Sequence, residues 1–98
     1  MKNSKVVEHF IEGADAKNSN NSFTSRSGYL YSYSLPIAKN LNDLFVVFPA
    51  NADSNNFYSN TTTKHVSILM EALSDKRVVF INRTDEFNEW KINTTQNQ

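Results

Sequence analysis

The chain has 98 residues, a formal net charge of zero at pH 7 and a hydrophobic fraction of 39%. This length suits one domain with a modest core, and seven Phe, four Tyr and one Trp favour a packed interior over wholesale disorder. A neutral chain lacks the positive field of most nucleic-acid-binding proteins, and a chain without cysteine forms neither disulfides nor a thiolate metal site.

The start of the chain shows no targeting segment. Residues 1–9 are charged at the beginning, but no long apolar stretch follows them. No apolar run approaches the roughly 18 residues that a membrane span requires. We therefore expect a cytoplasmic protein that does not enter a membrane.

The first predicted element is a helix over residues 3–12. Its apolar side consists of Val6, Val7, Phe10 and Ile11. Asn3 or Ser4 is the expected N-cap, and Gly13 stands where a left-handed stop belongs. Residues 14–27 are mostly polar, with Phe23 as their only large apolar residue, and their length predicts a mobile connection.

Two strands are predicted next. Residues 29–38 alternate with period two, so that Tyr29, Tyr31 and Tyr33 share one face of a single strand. Pro36 places that position at a sheet edge or near the end of the strand. Residues 39–43 are typical of a turn, and Leu44–Phe48 is apolar at every position, which predicts a strand covered on both faces.

The second half predicts the main helix, a third strand and a final helix. Thr62 or Thr63 is the expected cap of the main helix, whose apolar positions are Val66, Leu69, Met70 and Leu73. Residues 77–81 form a β-branched and aromatic strand. A short helix then begins near Thr84, with Asp85 and Glu86 in its first turn, and residues 93–98 form a frayed tail. Its Phe87 and Trp90 either cover the sheet edge or form an exposed anchor for a partner.

Together these elements predict one α+β domain over residues 1–98. Their order is α-β-β-α-β-α, with a small, mostly antiparallel sheet packed by helices. The amphipathic main helix is expected to cover the bulky face of the tyrosine strand.

Three segments carry a resemblance: Glu8–Gly13, Leu30–Ala38 and Tyr58–His65. They are similar to a small domain of unknown function common in bacteriophage genomes. Its pattern is a Phe-containing helix ending in Gly, a Leu-Tyr-Ser-Tyr-Gly-Thr-x-Ile-Ala strand and a Tyr-Ser-x-Thr-Thr-x-x-His helix start. This chain has Ser34-Leu35 in place of Gly-Thr, which suggests a less bent strand, and a third threonine. The resemblance covers residues 6–73 and implies a phage or prophage accessory protein made in a bacterial cytoplasm.

The first candidate site lies at the predicted start of the main helix. Free backbone N–H groups there, with Thr62, Thr63, Lys64 and His65, are typical of an anion or phosphate site, to which Arg26 adds charge. In the alternative, threonine caps the helix and His65 packs locally. The helix dipole favours a neutral imidazole in both cases. No catalytic or metal-binding spacing accompanies His65, so we expect no catalytic residue, metal or cofactor.

The second candidate site is the row formed by Tyr29, Tyr31 and Tyr33. Such rings stack on bases in sheet-based RNA-binding domains, where flanking cations are needed, and only Arg26 and Lys39 are nearby in sequence. In the alternative, the rings form the core face under the helices. The same ring types are also favoured in protein interfaces.

These observations favour a non-enzymatic accessory protein of phage type that binds a host or phage protein. Its most concrete form is an inhibitor of a bacterial defence system such as CRISPR. The alternative is a nucleic-acid-binding accessory protein that uses the helix N-terminus and the tyrosine face; a hydrolase with His65 as base is the least favoured class. The sequence leaves a monomer and a homodimer open.

Overall fold

The computed structural model describes residues 1–49 and 59–96, with side chains at residues 1–49 and 64–93. Its regular elements are, in chain order, α1 (Asn3–Ile11), β1 (Ala16–Lys17), β2 (Phe23–Arg26), β3 (Tyr29–Ser32), β4 (Leu35–Asn40), β5 (Phe45–Val47), α2 (Ser59–Ala72), β6 (Val78–Phe80) and α3 (Thr84–Gln96). The polar composition of residues 50–60 predicts a loop, of which residues 50–58 lie outside the described residues and 59–60 belong to α2.

The six strands form one sheet in the order β1-β2-β3-β4-β5-β6. Every neighbouring pair is antiparallel except β5 and β6, which are parallel. Parallel neighbours need a crossover, and the chain between them includes α2. The prediction of an α+β fold with a mostly antiparallel sheet packed by helices is confirmed. The predicted order lacks three strands, all of which precede α2.

The segment predicted as one strand, residues 29–38, is a tight hairpin. Ser32 pairs with Leu35, so the chain reverses direction at Tyr33 and Ser34. Tyr33 adopts a positive φ of 59°, which is uncommon for a bulky residue. The period-two alternation of large and small side chains continues through the two turn residues. Neither of them is a glycine or asparagine, the residues that usually indicate such a turn in a sequence. The expectation of a less bent strand at Ser34-Leu35 is therefore wrong.

Pro36 lies in the second position of β4, which is an interior strand. It is therefore near the end of a strand, which is one of the two predicted positions, the other being a sheet edge. The sheet edges are β1 and β6, so no edge strand passes through Pro36. The register of β3 on β4 shifts between Leu30 and Tyr31, next to the pairing of Tyr31 with Pro36. Such an irregularity is where a sheet accommodates a residue without an N–H donor.

The segment predicted as a structureless connection, residues 14–27, contains β1 and β2. Its polar side chains make hydrogen bonds that hold the loop between these strands. Asn18 Nδ2 donates to Asn3 Oδ1 and to Ser22 Oγ, both at 2.9 Å, and the Phe23 N–H donates to Asn18 Oδ1 at 3.1 Å. The polar composition therefore reflects an ordered loop. At the other end of β2, Ser27 and Gly28 have φ values of 54° and 84°, as a two-residue hairpin turn requires.

One face of the sheet, here called the inner face, packs against α1 and α2. The core on this side contains Val6, Val7, Phe10, Phe23, Leu30, Ile37, Ala38, Phe45, Val47, Leu69 and Leu73. The predicted apolar sides of both helices are thus the sides that pack against the sheet. Phe10 and Phe45 meet with ring centroids 5.8 Å apart.

The opposite, outer face is covered by α3 at one end. Phe87 and Trp90 pack there with Val46, Phe48, Val79 and Ile81. Since Phe45 and Val47 face inward and Val46 faces outward, β5 is buried on both faces, as its uninterrupted apolar run predicted. Helix α3 begins at Thr84 with Asp85 and Glu86 in its first turn, as expected. It continues to Gln96, so residues 93–96 of the predicted frayed tail are helical.

Helix α1 ends as the sequence predicts and begins differently. Gly13 has a φ of 82°, and the Gly13 and Ala14 N–H groups donate to the carbonyl oxygens of Phe10 and His9 in a Schellman arrangement. The N-cap is Lys2, without a side-chain capping bond, so the predicted Asn3 or Ser4 cap is wrong. Asn3 instead accepts the hydrogen bond from Asn18. Within the described part of the chain, every helix is too short or too polar to cross a membrane.

The side chain of Asn40 caps the end of α1 from a distant strand, and its loss is expected to destabilise the fold. Asn40 Nδ2 donates to the carbonyl oxygens of Phe10 at 2.9 Å and Ile11 at 3.1 Å, and Asn40 Oδ1 accepts from the Asn42 N–H. We expect Asn40→Ala to lower the free energy of unfolding by about 1–2 kcal/mol. The matched control, Asn88→Ala on the exposed side of α3, should change it by less than about 0.5 kcal/mol. Equal effects of the two substitutions in urea unfolding would contradict this role.

Candidate functional site

His65 lies at the centre of a buried contact between α2 and the β2–β3 hairpin. Its side chain is only 1% exposed, and its ring stacks on Phe23 with centroids 4.1 Å apart and planes inclined by 5°. His65 Nδ1 and Ser32 Oγ share a hydrogen bond of 2.8 Å, in which the hydroxyl donates when Nδ1 is the unprotonated nitrogen. Burial lowers the pKa of His65 to about 4. The imidazole is therefore neutral at pH 7, as expected, but burial is the cause rather than the helix dipole.

The predicted anion site at residues 62–65 is wrong. Helix α2 already includes Ser59, so these residues lie beyond its first three positions, and the N–H groups from Thr63 onward have helical partners. Lys64 is exposed whereas His65 is buried, so the two side chains do not converge. Thr62 and Thr63 are helical rather than capping, and their side chains lie outside the described ones. Threonine is a good cap and an acceptable helix residue, which is why the pattern misplaced the helix start.

The Ser32–His65 hydrogen bond has the geometry of a nucleophile and its general base, but neither side chain is accessible to a substrate. Ser32 is fully buried, and Phe23 covers the imidazole ring. A catalytic pair must meet a substrate, and both groups are enclosed by the core. Among the described residues, no group of three or more His, Asp or Glu side chains is placed to hold a metal ion. The arrangement acts as a buried polar tie between α2 and the sheet.

The three tyrosines do not share a strand face. Tyr29 and Tyr31 project from β3 to the outer face, with ring centroids 6.0 Å apart, and Tyr33 lies in the turn that follows. Helix α2 packs instead on the inner face, against Phe23 and Leu30. The prediction that the main helix covers the tyrosine side is therefore wrong. Tyr29 lies at the margin of the α3 cluster, where its ring meets Phe87 edge-on at 6.4 Å, and the ring of Tyr33 lies 6.4 Å from that of the buried His65.

Two cations lie over the tyrosine rings of the outer face. Arg26, Tyr29 and Lys39 are neighbours across β2, β3 and β4. Lys39 Nζ lies 4.2 Å from the centroid of Tyr29, and Arg26 Cζ lies 5.0 Å from that of Tyr31, both within the range of cation–π attraction. Burial, and secondly the charge of Lys91, lower the pKa of Lys39. Burial, and secondly Tyr31, raise the pKa of Tyr29.

A groove of about 280 Å³ opens beside this row, at the end of the outer face. Its lining consists of Asn21, Thr24, Arg26, Tyr31, Tyr33 and Ser34. We call it the tyrosine groove. Tyr33 is 40% exposed and is one of the most exposed large aromatic side chains described. Arg26 is exposed and makes neither an ion pair nor a hydrogen bond with any described residue.

The structure thus brings together only part of the predicted site. Arg26, Tyr31 and Tyr33 line one groove, with Tyr29 adjacent, whereas residues 62–65 belong to a helix on the inner face. The sequence did not indicate Asn21 and Thr24, since the hairpins that place them were not recognised. Lys91 is far from Lys39 in sequence, so only the packing of α3 reveals that their charges are close.

Comparison with known proteins identifies the chain by family alone. The model of a "Family of unknown function (DUF8033)" matches residues 3–89, so the chain belongs to this family. No curated protein and no solved structure matches the chain.

The buried neutral His65 is expected to make stability fall in mild acid. In the unfolded chain His65 takes up a proton near pH 6.5, whereas in the folded chain it stays neutral until about pH 4. The unfolded state therefore binds more protons between these values, and stability is full above pH 6.5 and falls as the pH drops towards 4. The loss attributable to His65 is about 3 kcal/mol at most.

Urea unfolding of variants at a series of pH values measures this contribution. His65→Gln should unfold more easily at pH 7 yet show a shallower loss between pH 6.5 and 4. The matched variant His9→Gln should keep the slope of the original chain. A slope that depends on His9 and not on His65 would contradict the assignment.

Proposed function

We propose that this member of a family of unknown function is a non-enzymatic binding protein that acts by docking on a host or phage protein. The observation that supports the proposal is the half of the outer sheet face that α3 leaves uncovered. There Tyr31 and Tyr33 flank a groove beside the guanidinium of Arg26, which makes no ion pair or hydrogen bond with any described residue. Tyr and Arg are enriched at the centres of protein interfaces, where the tyrosine ring contributes a large contact area at a low entropic cost.

The chemistry of the remaining polar groups supports a binding role over catalysis. The Ser32–His65 pair is enclosed by the core, and Tyr29 is partly covered by Phe87 and Lys39. The net charge of zero also suits a protein partner, because such interfaces do not depend on a large overall field.

The most concrete form of this proposal is an inhibitor of a bacterial defence system such as CRISPR, made in the cytoplasm of an infected bacterium. Its support is the small size of the chain and the resemblance of residues 6–73 to phage domains of unknown function. A small inhibitor needs one binding surface of sufficient area and no reaction centre of its own. The open half of the sheet would supply that surface.

A nucleic-acid-binding role is the second candidate, and one observation favours it. Arg26, Lys39 and Lys91 surround Tyr29 and Tyr31 on one face, which is the combination that single-stranded nucleic acid recognises. The pairing of cations with rings works against it, because bases stack on ring faces that Arg26 and Lys39 already cover. The predicted phosphate site at a helix N-terminus gives this candidate no support, because residues 62–65 lie within α2.

A capture experiment with matched variants separates the two candidates. We expect the immobilised chain to retain a specific protein from a phage-infected lysate, and Tyr31→Ala with Tyr33→Ala to reduce its recovery at least tenfold. Glu71→Ala, on an exposed position of α2 over the inner face, should leave recovery unchanged. The same variants are tested by gel shift with single-stranded DNA and RNA at two salt concentrations.

The protein-binding proposal expects no saturable shift at physiological salt. Micromolar binding whose log–log salt dependence has a slope near about −2, as expected for three phosphate contacts on a single strand, would instead establish the nucleic-acid candidate.

A further inference from the structure

We infer that the tyrosine groove binds an acidic side chain, an aspartate or glutamate on an exposed segment of the partner, through the guanidinium of Arg26. This inference rests on the proposed protein-binding function and names the chemistry of the partner. It commits to a carboxylate carried by a protein, and binding of a nucleic acid at the same place is an outcome of the test that would overturn it.

Arg26 is the anchor because Tyr31 positions it and no described residue occupies its N–H donors. Its guanidinium carbon lies over the ring of Tyr31 at 5.0 Å from the centroid, and this cation–π contact restricts the long side chain before any ligand arrives. The planar group offers five N–H donors in a fork that matches a carboxylate, and none is used by a described residue.

The charges around the groove favour an anionic ligand. Lys39 and Lys91 lie on the same outer face, close enough for the charge of Lys91 to act on the pKa of Lys39. The carboxylate of Asp15 lines the adjoining depression together with Arg26. Asp15 Oδ1 already accepts from the Ser27 N–H at 3.1 Å. Arg26, Lys39 and Lys91 thus place three positive charges on this face, with Asp15 as a local opposing charge beside Arg26.

Tyr33 forms the second wall of the groove in a conformation that its residue type disfavours. Its φ of 59° lies in the left-handed region, where Gly or Asn would be less strained. The Tyr33 N–H donates to the Ser22 carbonyl oxygen at 2.7 Å, which holds the turn against the β1–β2 loop. A strained and exposed aromatic residue at a groove is the type of outlier from which a binding role is inferred.

The test is an NMR titration of the full chain with defined probes. The probes are a blocked hexaglutamate peptide, a blocked hexaglutamine peptide, inorganic phosphate and a single-stranded hexathymidylate. We expect hexaglutamate to shift the Arg26 Nε–Hε signal and the ring signals of Tyr31 and Tyr33 saturably, and hexaglutamine to shift none of them. Shifts centred elsewhere, no saturable binding, or tighter binding of phosphate or hexathymidylate than of hexaglutamate would each overturn the inference.

Three variants test the roles of the named residues. Arg26→Gln should weaken hexaglutamate binding about tenfold or more, and Arg26→Lys should restore only part of it, because lysine lacks the bidentate fork. Asp15→Asn should strengthen binding by removing the opposing charge. Unchanged affinity in Arg26→Gln would refute the anchor.

Tyr33→Gly separates binding from folding. Glycine relieves the positive φ, so this variant should keep a melting temperature within a few degrees of the original while it binds hexaglutamate more weakly. Full binding by Tyr33→Gly would remove Tyr33 from the site.

Capture of the native partner by these variants tests the acidic contact separately from the protein-binding function on which it rests. If Arg26→Gln still captures the partner that Tyr31→Ala with Tyr33→Ala loses, protein binding stands and the acidic contact is refuted. If the original chain captures no specific protein, the proposed function itself fails. Loss of capture in both variants, with Tm values preserved, supports both.

Discussion

The packing of His65 against Phe23 and Ser32 decides which face of the sheet remains open. Residues in a strand alternate between faces, so once Phe23, Leu30 and Ser32 face α2, the side chains of Tyr29 and Tyr31 must face the other way. The stacked rings and the buried hydrogen bond hold α2 to the β2–β3 hairpin. A buried polar pair of this kind specifies one docking of the helix, because any other arrangement would leave the imidazole or the hydroxyl unsatisfied.

The outer face is divided by the position of α3. Phe87 and Trp90 cover the sheet where β5 and β6 supply apolar side chains, and this coverage reaches only the margin of Tyr29. Beyond it the face carries Tyr31, Arg26 and the groove that ends at Tyr33. The same six-stranded sheet thus has a second small core at one end and a polar, aromatic surface at the other. The proposed function depends on this division, since the open half offers rings and a cation in fixed positions.

Local patterns in the sequence predicted the elements whose cause is local. Gly13 stops α1 because a left-handed position favours glycine, and the uninterrupted apolar run around Val46 reports a strand buried on both faces. The features that the sequence did not predict depend on contacts between residues that are distant in sequence or on a turn without a typical turn residue. Asn18 looks like a loop residue in sequence, but its three hydrogen bonds order the β1–β2 connection. Tyr33 carries no marker of a turn, so a hairpin was interpreted as one strand.

The sequence predicted only those parts of the candidate site whose residues are close both in sequence and in space. Arg26 and Tyr31 meet because a two-residue turn joins their strands, whereas the charge of Lys91 reaches Lys39 only through the packing of α3.

The central claim is that the face bearing Tyr31 and Tyr33 is open in the free chain and is the face that a partner covers. Solvent paramagnetic relaxation of aromatic ring protons, measured with a soluble gadolinium probe before and after the captured partner is added, tests it most directly. The account predicts strong relaxation of the Tyr33 ring protons, weaker relaxation for Tyr31 and almost none for Phe23 and His65. It also predicts that the relaxation of the tyrosine protons falls when the partner binds. Low tyrosine relaxation in the free chain, or relaxation that the partner leaves unchanged, would contradict the account.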